Sequence, residues 1–279
     1  KKDTATGAMR VFLVLNASGL CLIPIGVMMY RSQCGAANPT DVFIPIMIAT
    51  FLATLVGIIA LCLKQRINIL DRVIISWIGG LTLFIGSVIG YLSTLPEEKV
   101  AEYSSFAANF LLFSLIIGFL AAGFRKKVNM YDSFIEGAKE GFKTAVMIIP
   151  YLVAVLVAIG MFRASGAMGV ITDWITSAVS ALGIDAEWVG ALPTALMKPL
   201  SGSGSRGMMV DVMNTYGADA FVSRVASCLQ GSTDTTFYIL AVYFGSVGVK
   251  KTRYAVPFAL LADVVGSVSA ILVAYFFFG

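Results

Sequence analysis

The chain has no histidine among its 279 residues. That removes imidazole acid-base catalysis, Ser-His triads and His-ligated metals together. Charge is scarce as well: only 13% of residues are Asp, Glu, Lys or Arg, with a formal net charge of +4. The basic residues fall mostly between apolar runs, where they orient helices rather than bind nucleic acid. Cys21, Cys34, Cys62 and Cys228 form no CxxC pair and carry no metal-ligand spacing, so they read as small apolar filler. The opening Lys1-Lys2-Asp3-Thr4-Ala5-Thr6-Gly7 lacks the shape of a signal peptide. No nucleophile has a base beside it, and no enzyme is expected. Ser201 or Ser203 with Lys198 is the one conceivable dyad, in a proline and glycine setting poorly suited to hold it.

What is present is hydrocarbon. Hydrophobic residues make up 58% of the chain, the mean hydropathy is +0.87, and several continuous apolar runs reach the length that crosses about 30 Å of bilayer as helix. The expected fold class is therefore all-α, a polytopic transmembrane protein with broken helices and re-entrant hairpins. The continuity of the runs excludes a barrel. Spans are expected over residues 9–30 (broken at Asn16-Ala17-Ser18-Gly19 and Pro24), 42–63, 73–92, 106–124, 144–162 (kinked at Pro150), 235–249 and 256–278. The turn Asn38-Pro39-Thr40-Asp41 is expected to cap the helix after it. Residues 131–143 form an amphipathic stretch expected to lie along the cytoplasmic interface. Lys and Arg asymmetry puts 1–10, 64–72 and 125–143 in the cytoplasm, with 31–41 and the acidic loop 96–103 outside.

Between Gly166 and Gln230 no run reaches membrane length without a glycine, proline or charge. Re-entrant hairpins and half-helices are the economical reading, because non-helical backbone at membrane depth survives only where protein buries it or it lines a wet cavity. Two polar stretches stand out there. Ser201-Gly202-Ser203-Gly204-Ser205 offers free amides and hydroxyls, with Lys198 and Arg206 adding charge and Gly207 opening a candidate helix; a flexible linker is its plainer reading. Gln230 to Thr236 offers Gln230, Ser232, Thr233, Asp234 and Thr235 beside a glycine break, able to read polar solute edges or ligate a small cation. A simple helix cap is the plainer alternative. Asp263, an ionisable group inside the last span, is a site candidate by default, or else a structural partner of Lys198 or Arg206.

Asn16-Ala-Ser-Gly, its helix, a polar turn, Pro45, Ala49-Thr50 and Gly57 recur in order as Gln230-Gly-Ser-Thr, its helix, a basic turn, Pro257, Ala262-Asp263 and Gly266. Two such halves around a midplane site are the layout of many secondary transporters. Asn16 and Ser18 thus mirror the Gln230 region and join the candidate site. The second half has about a hundred residues before its break and the first has almost none, so a missing N-terminal portion or a partner chain is expected.

The motifs Phe162-Arg163-Ala164-Ser165-Gly166-Ala167, Lys198 to Gly204, Asn214 to Phe221, Gln230 to Tyr238 and Tyr243 to Lys251 resemble spore maturation protein B. Residues 12–18, Leu22-Ile23-Pro24 and Ala37 to Asp41 are similar to the C-terminal part of spore maturation protein A. The whole resembles an A/B fusion of the nucleoside-recognition Gate group, N-terminally incomplete. The corresponding division is 1–72 (A-like Gate repeat), 73–105 (connecting helix and external loop) and 106–279 (B-like Gate repeat). The resemblance implies a multi-pass bacterial inner-membrane protein of transporter-like build and, in spore formers, a role in dehydrating the spore core. The expected function is transport of a small polar solute, nucleoside-like or otherwise. The alternative is a non-transporting scaffold or accessory factor in an envelope or spore-maturation process. Expected partners are the lipid bilayer and the solute, with no nucleic acid; a homo-oligomer is compatible with the sequence. No cofactor or metal is expected, and coupling to Na⁺ or H⁺ is left open.

Overall fold

The computed structural model describes residues 3–21, 24–67, 72–92, 94–181, 183 and 185–279. Lys1, Lys2, Leu22, Ile23, Asp71 and Leu182, which figure in the sequence reading, lie outside the described residues. Among the described residues the chain is all helical, with one isolated bridge between Thr4 and Lys251 and no named strand. The helices are α1 (Gly7–Ser18), α2 (Ile25–Gln33), α3 (Phe43–Gln65), α4 (Arg72–Leu92), α5 (Glu97–Arg125), α6 (Met130–Ala164), α7 (Ala167–Ala181), α8 (Leu192–Met197), α9 (Gly202–Tyr216), α10 (Phe221–Ser232), α11 (Thr236–Ser246) and α12 (Ala255–Phe278). A 3-10 turn, Glu187–Ala191, leads into α8. By length and composition α3 and α12 can cross a bilayer.

The centre of the molecule is the crossing of α3 and α12, made close by small residues. Ala53 of α3 faces Gly266 of α12, and Gly57 of α3 faces Ala262. Around it the first helices, α1-break-α2-turn-α3, and the last, α10-break-α11-turn-α12, have matching lengths: 12, 9 and 23 residues against 12, 11 and 24. They run in opposite directions. At one end the start of α1 meets the end of α3 and the turn after α11: Gln65 Nε2 donates to the Gly7 carbonyl at 3.3 Å, Ala5 N donates to Lys251 O at 3.0 Å, and Arg10 stacks over Tyr254. At the other end the start of α10 meets the end of α2, the start of α3 and the end of α12.

That second end is held by charge. Arg31 is fully buried; its guanidinium lies 2.9 Å from Asp41 and 3.4 Å from Asp219, and donates to the Ala218 carbonyl at 3.0 Å. Arg224 donates to the other Asp41 oxygen at 2.8 Å and stacks on Phe278. Two arginines and two aspartates therefore close a neutral cluster between the turn after α2 and the turn before α10. Burial pushes the Asp41 carboxyl up, against the pull of Arg31 and Arg224. The sequence reading expects the turn Asn38-Pro39-Thr40-Asp41 to cap the next helix; α3 instead starts after Val42 without a side-chain cap, and the Asp41 carboxylate is taken by the two arginines.

The two breaks meet in the middle. Thr6 caps α1 by accepting from Met9 N, and α1 ends at Gly19 in the left-handed conformation, φ 54°. A Cβ at Gly19 would also come within 2.8 Å of the Asp234 amide. Asp234 N donates to Ala17 O at 2.9 Å, and Thr54 Oγ1 donates to Ser18 Oγ at 3.0 Å.

Several boundaries differ from the sequence reading. Residues 131–143 do not form a separate helix: α6 continues unbroken from Met130 through Pro150 to Ala164, since no proline separates the amphipathic stretch from the apolar one. Nor is 96–103 a loop; α5 starts after Pro96 and takes in the rest of that stretch.

Candidate functional site

The 3-10 turn and α8 descend toward the breaks, and α9 returns, forming a hairpin packed on α10. Ser205 Oγ donates to Thr194 O at 2.7 Å between its two limbs. At its tip, Phe237 N donates to Pro199 O at 3.0 Å, fixing the tip to the first turn of α11. The glycine-rich stretch is therefore neither linker nor loop. Ser201 is the N-cap of α9, its Oγ accepting from Gly204 N at 3.0 Å, and Gly202 to Ser205 are the first helical turn. The helix expected to open at Gly207 begins five residues earlier because Ser201 supplies the cap. Likewise α10 runs through Gln230, Gly231 and Ser232, and only Thr233 to Thr235 are non-helical. In the first half α1 includes Asn16, Ala17 and Ser18, and the break begins at Gly19.

Hairpin tip and both breaks surround one cavity of about 990 Å³. Of the residues singled out from sequence, Asn16, Lys198, Ser201, Gly202, Ser203, Arg206, Gln230, Thr233, Asp234 and Thr235 line it. Gly202 sits so close to the second break that a Cβ would lie 2.8 Å from Thr235 Oγ1. Lys198 Nζ donates to the Gln230 carbonyl at 2.7 Å, and Arg206 Nε donates to Gly202 O at 3.2 Å. Asp234 Oδ1 accepts from Thr235 N at 2.7 Å, and the side chain is exposed to the cavity. The wall thus offers one carboxylate, two cations, hydroxyls and amides over an apolar floor of Leu15, Leu20 and Leu200. Such a mixture of apolar walls and a few convergent polar groups suits a small polar solute. Among the described residues no cluster has the composition of a metal site.

The other candidates stand behind the wall. Ser18 and Ser232 are buried and donate to the carbonyls three residues back, Leu15 and Leu229. Ser205 braces the hairpin. Gly204 faces Met197 and Ser201 rather than the cavity. Asp263 is buried and accepts from Thr236 Oγ1 at 2.7 Å. None of the described ion pairs joins it to Lys198 or Arg206.

The residue series matches known proteins. A family model described as Nucleoside recognition (Gate) covers residues 145–250. Over 165 residues the chain is 51% identical to Spore maturation protein B of Bacillus subtilis (strain 168), an alignment spanning 59% of this chain and 91% of that protein. The chain belongs to the spore maturation protein B family. No solved structure matches it. The stretch matched by the Gate model holds the hairpin, α10 and α11, and with them every cavity residue from Lys198 to Tyr238. The cavity wall contributed by α1 and α2 lies outside that stretch.

The structure also lines the cavity with residues the sequence reading passes over: Cys21, Pro24, Ile25, Gly26, Val27 and Tyr238. Cys21, read as filler, lies in the first break as Thr235 lies in the second. Extending the internal repeat past Ser18 brings this face into view.

Proposed function

We propose that this is a multi-pass protein of the bacterial cytoplasmic membrane that binds a small polar solute in the cavity between two broken-helix repeats and carries it across. The observation that carries the reading is the convergence of both breaks and the hairpin tip on one cavity. The matching helix lengths and opposite directions of α1 to α3 and α10 to α12 support an inverted repeat, in which substrate sites sit near the midplane at the repeat interface. Arg10 and the basic stretches 64–66 and 250–253 gather at one end, in keeping with positive-inside orientation. The Gate description favours a nucleoside-like solute.

The test is thermal unfolding of the purified protein against a panel of nucleosides and related metabolites. A ligand at a hundredfold over its Kd should stabilise by about 2.7 kcal/mol. Gln230→Ala and Asp234→Ala should each abolish the shift relative to its own unliganded Tm. A broad panel without any stabilisation would refute solute binding and favour the scaffold reading that the relative's spore-maturation name allows.

A further inference from the structure

The last four carbonyls of an α-helix have no partner within it, and the end carries a partial negative charge that attracts cations. For α10 these carbonyls belong to Leu229, Gln230, Gly231 and Ser232. In broken-helix transporters such half-helix ends and unwound carbonyls coordinate the coupling ion. Here the Leu229 carbonyl accepts from Ser232 Oγ, and the Gln230 carbonyl accepts from the Lys198 ammonium at 2.7 Å. Lys198 is only 7% exposed. Burial penalises its charged form most; the carboxylates of Asp234 and Asp263 offset part of that and Arg206 adds to it. A buried ammonium is tolerable only with such compensation, and it brings to this point the same charge as a sodium ion, compact and hydrogen-bond donating. Its place is set by the backbone: Pro199, the next residue, is bonded to the start of α11 through Phe237 N.

We propose that Lys198 is a resident cation at the break of α10, filling the position a coupling Na⁺ would take. A free monovalent cation entering there meets like charge and an occupied carbonyl. The word "coupling" rests on the solute-binding reading above; the occupation of the helix end by Lys198 does not. Solute binding by this chain is then independent of Na⁺.

Thermal unfolding of the full purified chain in NaCl, KCl and choline chloride at equal ionic strength tests this without any solute. The wild-type Tm should be the same in all three salts. Lys198→Met and Lys198→Ala should melt about 5 °C lower in choline chloride. Lys198→Met should recover half or more of that loss in NaCl, and Lys198→Ala should recover it with ethylammonium chloride. Lys198→Arg, which keeps the charge, should stay near wild type and ignore Na⁺. A Na⁺-specific rise in the wild-type Tm overturns the proposal, as does a Lys198→Arg variant that responds to Na⁺. Neutral variants indifferent to every cation overturn it too, because a purely structural lysine loses stability without cation-selective rescue. If the neutral variants fail to fold, the wild type and Lys198→Arg still decide. Since no solute is used, a blank solute screen leaves this result standing, and a negative result here leaves solute binding standing.

Discussion

Individual residues show where the polar signal in the sequence points and where it misleads. Ser201, Ser203, Thr233 and Asp234 reach the cavity wall, whereas Ser18, Ser205 and Ser232, chemically the same kind of residue, turn inward onto backbone carbonyls. A hydroxyl beside a helix end can serve a ligand or bond back to the preceding turn, and composition does not distinguish the two. Gly19 is different, since both its φ of 54° and its 2.8 Å approach to the Asp234 amide demand the absence of a side chain. Gly19→Ala should lose about 1–2 kcal/mol from the left-handed backbone alone, and more from the displaced second break. A lowered Tm together with weakened solute binding is the expected readout, though Gly19 itself has no polar side chain to offer.

At the level of elements, the apolar runs were legible and their joints were not. The helices over 42–63, 73–92 and 256–278 have close to the expected bounds, because length and hydropathy alone specify them. The joints depended on tertiary partners: the turn before α3 supplies no cap, its Asp41 carboxylate being taken by two arginines, and α6 absorbed a stretch whose amphipathic face suggested an interface helix. The Arg31 cluster could not be read from spacing, since its members come from separate turns nearly two hundred positions apart. It predicts unequal mutational costs. Asp41→Ala leaves the fully buried Arg31 guanidinium with only the longer contact to the part-exposed Asp219 and with carbonyls, and should cost up to ~3–5 kcal/mol. The double variant Arg31→Met with Asp41→Ala should cost less than Asp41→Ala alone, because no buried charge is left unpaired. Arg224, half-buried at the rim, should cost no more than ~1 kcal/mol when replaced by Ala. Denaturant or thermal unfolding of the three variants compares them directly.

For the whole molecule, the sequence carries an ordered series of small and polar residues near both ends, but not the relative direction of the two helix sets, which depends on which ends touch. Tyr275, near the end of α12, donates to Asp185 at 2.7 Å, which puts Glu187 at the end opposite Lys251 and the start of α12. In a background without cysteines, Lys251→Cys and Glu187→Cys should react with an impermeant maleimide from opposite sides of sealed vesicles, Lys251→Cys from the cytoplasmic side. Labelling of both from one side would exclude the proposed crossing. The bond from Asp234 N to Ala17 O bears on how such a molecule could change shape. Among the described residues it is a main-chain link between the two half-turns at the centre, and parting them would break a hydrogen bond at the cavity wall, at about 0.5–1.5 kcal/mol. Rotation about that link leaves it intact. Under the proposed transport, the least expensive way to present the cavity to the other side is thus a swing of one half against the other about this contact, loosening the Arg31 cluster at one rim while the bridge between Thr4 and Lys251 holds at the other.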